Sequence, residues 1–160
     1  MIQTKTKPNP LKISVDFVIF TTMKEEQKVY KKEQLIYRKL YDKYGSVLRP
    51  YGVPAGQPIE EDRRVSSLGI DNCQYVIVCD TSIHGIQKMV IAPDIIYDSA
   101  NNSYVVVSNE NSNVKLFSLE DYKPYNYDEY DKMCEQIDYI LYRKKELEIE
   151  RKINRINKDF

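Results

Sequence analysis

Cys79, Asp80 and His84 fall within one short stretch, VIVCDTSIHGIQKMVIAP. A thiol, a carboxylate and an imidazole are the parts of a nucleophilic centre, in which the histidine takes the thiol proton. His84 is the only histidine in the chain, so chemistry of that kind has to use it. The spacing argues against it. Neighbouring side chains of an extended strand point to opposite faces, so Cys79 and Asp80 cannot both face one partner. Ser82-Ile83-His84-Gly85 separates two apolar runs of matched length. Gly85 can supply the positive φ that closes a hairpin turn. His84 is then expected at a solvated loop tip, and the stretch reads as a β-hairpin without catalysis.

The other reactive groups are as sparse. There are three cysteines. Cys73 and Cys79 are expected in extended chain, roughly 20 Å apart at ~3.3 Å per residue, beyond disulfide reach. Cys134 falls on an expected helix, and no CxxC pair offers a zinc site. No metal or cofactor is expected. Neither a Ser-His-Asp arrangement nor a phosphate-cradling glycine loop occurs. Pro93-Asp94 followed by Asp121-x-Lys123 resembles, in letters only, the signature of the PD-(D/E)xK nucleases. That resemblance implies two carboxylates holding Mg²⁺ and a lysine steadying the attacked phosphate. The Asp-x-Lys element should lie on a core strand, whereas here Pro124 follows it at once. A nuclease is kept as the remote alternative to a chain that is not an enzyme.

The elements that would carry these groups can be read from periodicity. Pro8 and Pro10 make residues 1–12 an extended arm. ISVDFVIF, residues 13–20, alternates as a strand. Thr22 and Glu25 form a capping box opening a helix to about Tyr44, with Val29, Ile36, Leu40 and Tyr44 on one stripe. Gly45 is the expected C′ residue in positive φ. Residues 46–70 hold Pro50, Pro54, Pro58, Gly52 and Gly56 and read as a long irregular loop. Arg49, Tyr51, Arg63 and Arg64 are its candidate partner contacts, being residue types favoured in binding hot spots. Beyond it, QYVIVCD, GIQKMVIA, DIIYD, SYVVVS and VKLFSL read as strands, with SANN and NENSN as turns.

Asn126 and Glu129 form a second capping box. No glycine or proline follows, so a helix is expected over 127–157, some 46 Å long at 1.5 Å per residue. Tyr130, Met133, Ile137, Ile140 and Leu147 form its core stripe. The apolar positions then change face, to Tyr142, Ile149, Ile153, Ile156 and Phe160. These five are the second set of candidate partner contacts. The expected fold is α+β: one domain over 1–160, an antiparallel meander of about five to six strands packed with an N-terminal helix and a long C-terminal helix.

Composition bounds the function. The 160 residues are 42% hydrophobic and 30% charged, with fourteen tyrosines and no tryptophan. No apolar run approaches the ~20 residues that span a bilayer, and the first residues lack the apolar centre of a signal peptide. A cytoplasmic location is expected, in a host or in a virion. Formal net charge is zero, but its spread is uneven: +6 over residues 1–50, −9 over 51–140 and +3 over 141–160. Lys24, Lys28, Lys31, Lys32 and Lys39 could attract nucleic acid, but Glu25, Glu26 and Glu33 interrupt them, so nucleic acid is not the favoured partner. The expected function is a non-enzymatic assembly or adaptor subunit, in a homo-oligomer with other protein subunits as partners. A phage connector ring or capsid accessory fits the size and AT-rich style of composition. A small inhibitor of one host protein is the alternative.

Overall fold

The computed structural model describes residues 31–50, 53–54, 57–60, 63–108 and 118–159. The expected arm, the 13–20 strand, the Thr22–Glu25 capping box and most of VKLFSL lie outside them, as do Tyr51 and Phe160. The chain divides into two compact units, Met1–Lys32 and Glu33–Phe160, and the second unit holds every strand described and the C-terminal helix.

Helix α1 enters this unit at Glu33 and ends at Tyr44. Ile36, Tyr37, Leu40 and Tyr44 are buried, the spacing of one helical face. The helix stops without a left-handed glycine. Tyr44 O instead accepts both Val47 N–H at 2.9 Å and Leu48 N–H at 2.8 Å. Among the described glycines only Gly85 has positive φ, so the expected role of Gly45 is corrected. Its reason is space: a Cβ there would lie 2.5 Å from Tyr41 O, closer than any carbon tolerates.

The described residues form seven strands: β1 Arg49–Pro50, β2 Ser67–Gly69, β3 Val78–Ile83, β4 Ile86–Ile91, β5 Asp94–Asp98, β6 Ser103–Val107 and β7 Lys123–Tyr125. They make a five-stranded antiparallel sheet, ordered β1-β2-β3-β4-β7, and a separate two-stranded sheet, β5-β6. Helix α2 spans Tyr130–Asp159. This is an α+β fold.

The five strands are not all the ones that periodicity suggests. β4 runs into β5 through Ala92 and Pro93, yet the two do not pair. Ala92 N–H still donates to Ile77 O at 2.9 Å, and Pro93 has no N–H to give. Both link carbonyls are taken by Gln136 Nε2 of α2, at 2.9 Å each. The chain therefore leaves the first sheet, and β5 and β6 pair through a Ser99–Asn102 turn in which Asn102 has φ 49°. The first sheet is completed by the two ends of the 46–70 excursion and by β7. Pro50 and Pro124 lie in the outermost of these strands, where a missing donor is tolerated.

The core lies between sheet and helices. Tyr37 and Leu40 of α1 are fully buried, as are Leu68, Val78, Met89 and Ile91 of the larger sheet, Ile95 of β5, and Met133, Ile137 and Ile140 of α2. Among the described residues no helix is long and apolar enough to cross a membrane.

Candidate interaction surface

The hairpin around Cys79 and His84 forms as expected. β3 and β4 pair from Val78↔Ile91 to Ile83↔Ile86. The two-residue turn His84–Gly85 has φ of 51° and 76°, the pattern of a tight turn whose twist matches that of its strands. Cys79 is buried and free. Burial first, and then the Asp80 carboxylate, push its thiol up to about 11, the wrong direction for a nucleophile. Asp80 itself accepts a hydrogen bond from the Tyr37 hydroxyl at 2.8 Å.

The nuclease-like letters sit on separate elements. Asp121 ends a 3-10 turn, Leu119–Asp121, and Lys123 begins β7. Asp94 Oδ1 accepts the Ile95 N–H at 2.8 Å and faces Arg143 Nε at 3.4 Å. Lys123 Nζ donates to Gln136 Oε1 at 3.2 Å. Among the described residues no group of three His, Cys, Asp or Glu could hold a metal ion.

The described part of the 46–70 excursion is a cover for α1. Arg49 is 7% exposed. Its guanidinium donates to Gly45 O at 2.8 Å, Val53 O at 3.1 Å and Gln57 O, and lies over the Tyr41 ring. Arg49 was expected as an outward contact, but its donors converge on backbone carbonyls that an irregular loop would otherwise leave open. Arg38 of α1 donates to Glu60 O at 2.6 Å, and Gln34 exchanges two bonds with the Val65 backbone, at 2.8 and 2.9 Å. Arg63 and Arg64 are exposed on the stretch that leads into β2.

Helix α2 differs on its two sides. The Glu129 carboxylate accepts the Asn126 N–H at 2.9 Å, which is half of the expected capping box. The Asn126 side chain instead accepts from Lys88 Nζ. The first helical bond is Met133 N–H to Glu129 O, at 3.1 Å, so the helix starts at Tyr130, one turn later than expected. Its inner side carries Met133, Ile137, Ile140 and Leu147, all buried. Tyr44 OH ties it to α1 through Asp138 Oδ1 at 2.8 Å. Arg143 bridges Asp94 and Glu146, at 3.4 and 2.6 Å.

The outer side carries the expected apolar set. Tyr142, Ile149, Ile153 and Ile156 are 61%, 57%, 50% and 56% exposed. At about 100° per residue they lie roughly opposite the buried stripe. Leu147 is the last buried residue of the helix. The Arg151 guanidinium, 3.6 Å from the centre of the Tyr97 ring, packs the inner side one turn further on. Residues 152–159 are all exposed. The 30-residue helix is about 45 Å long and outreaches the core beneath it. Sequence reading missed Tyr139, 40% exposed beside Tyr142; its i−3 spacing was the available signal.

Comparison with known protein families, with curated proteins and with solved structures finds no match to this chain.

Proposed function

We propose that this protein is a non-enzymatic assembly or adaptor subunit that works through protein–protein contact, with the outer face of α2 as its contact surface. The observation that carries this reading is the line of four large apolar side chains, each at least half exposed, on the side of the helix turned away from its own core. Scattered exposed apolar residues need no explanation, but an aligned set on one element marks a binding face. Covering the exposed half of such a side chain against a partner is worth about 1 kcal/mol, which gives the surface a driving force its own fold does not use.

The test is lysine cross-linking in the native cell, read by mass spectrometry. Lys145 and Lys152 flank the apolar line, and cross-links from them to another protein chain are expected. Ile149→Asp with Ile153→Asp should remove those cross-links while the chain stays folded. Cross-links confined to the chain itself would overturn the reading.

A further inference from the structure

We infer that the occupant of this face is a second copy of the same chain, lying parallel to the first. The inference rests on the contact-surface reading and deepens it. Tyr142, Ile149, Ile153 and Ile156 are spaced 7, 4 and 3 apart, the seam of a two-helix coiled coil. With Tyr142, Ile149 and Ile156 at d, Glu146 and Ile153 take a, and the flanking positions follow by count.

Those flanks differ in charge. By this count Lys145 and Lys152 border the seam on one side, and Arg143, Glu150 and Asn157 border it on the other. Lys145, Glu150 and Lys152 are exposed. A parallel pairing sets one flank of the first helix against the opposite flank of the second, so Lys145 of each copy meets Glu150 of the other, five residues on. Lys152 likewise meets Asn157, which is neutral. An antiparallel pairing sets like flanks together, which puts lysine on lysine and leaves Lys145 without an acidic partner across the seam.

Two further features fit. Glu146, the polar residue at the seam, is held by Arg143 at 2.6 Å and so enters the contact with its charge countered. Before Tyr142 the outer side carries Asp131 and Glu135, both exposed, whose like charges keep two helices apart there. The seam therefore begins at Tyr142, on the half of the helix where the second copy approaches from the side away from the core.

The experiment uses the full chain. Sedimentation of the wild type at micromolar concentration is expected to show a dimer. Lys145→Glu with Lys152→Glu, or Glu150→Lys alone, should weaken it about tenfold or more, and mixing the two variants should restore a mixed dimer. Ile149→Cys and Ile156→Cys, made separately, should each give a disulfide-linked dimer under mild oxidation that the wild type does not give. No single antiparallel register brings both positions onto their own copies, so linkage of one without the other overturns the parallel arrangement. A monomeric wild type overturns the second copy. The contact-surface reading then stands only if Lys145 and Lys152 cross-link in the cell to a different protein, and falls with it if they do not.

Discussion

The Tyr37 hydroxyl lies 2.8 Å from Asp80 Oδ1 and joins α1 to the middle of β3. The same hydroxyl is 2.9 Å from Ser66 O, so one proton serves two acceptors, and the carboxylate is the stronger. The carboxylate next to Cys79 is thus engaged by a helix. Tyr37→Phe keeps the buried ring and removes the donor. It should cost about 1–3 kcal/mol, because both acceptors are left without it, read as a lower denaturation midpoint at unchanged m-value.

Glu33 gives the stability a pH dependence of known sign. It is buried; burial first, and the neighbouring Asp80 carboxylate second, raise its pKa above the ordinary 4.5, against the opposing influence of Arg64 and Gln34. The fold therefore binds the Glu33 proton more tightly than the unfolded chain does. This contribution is full below the ordinary value and is lost as pH rises through the raised one. Glu33→Gln should raise the denaturation midpoint at neutral pH and leave it unchanged below about pH 4. An equal effect at both pH values would show that the carboxyl does not titrate differently in the fold.

Gln136 fastens α2 to the link between the two sheets through the carbonyls of Ala92 and Pro93. Gln136→Leu fills similar space but leaves both carbonyls and Lys123 Nζ without that partner. A loss of about 1–3 kcal/mol is expected by chemical denaturation. Hydrogen exchange should increase first in β5 and β6, the strands that this link releases.

The thiols should be slow. Burial raises the pKa of Cys79 to about 11 and that of Cys73 above its ordinary value, and Cys134 is buried. A disulfide reagent at neutral pH should label the native chain far more slowly than the denatured chain, in which all three react. Rapid labelling of native Cys79 would reopen the question of its chemistry.

Ile153→Asp separates contact from fold. The side chain is half exposed and lies outside the core cluster formed by the described residues, so the stability of an isolated copy should change by no more than about 0.5 kcal/mol. Association through α2 should be lost.

Much of this fold is legible in the sequence. Two apolar runs of matched length mark β3 and β4, and Gly85 between them marks the turn. The change of face after Leu147 separates the inner side of α2 from the outer. Other features depend on distant partners. Nothing near Asn126 announces that Lys88 will take its side chain, so the helix starts a turn late. Nothing in Ile91-Ala92-Pro93-Asp94 says that its carbonyls belong to Gln136, so one expected sheet is two. Arg49 looks like an outward anchor because its type is common at interfaces; only the tertiary structure shows it closing a loop over α1.

The turn at His84–Gly85 limits how this gene can vary. Because strand side chains alternate, a loop of two residues fixes which of Cys79 and Asp80 looks inward. One inserted codon that slipped the pairing would exchange them, taking the carboxylate away from the Tyr37 hydroxyl and setting the thiol in its place on the face of Val78, Met89 and Ile91. Substitutions that tolerate the left-handed backbone can accumulate at that tip, but a one-residue change in its length cannot.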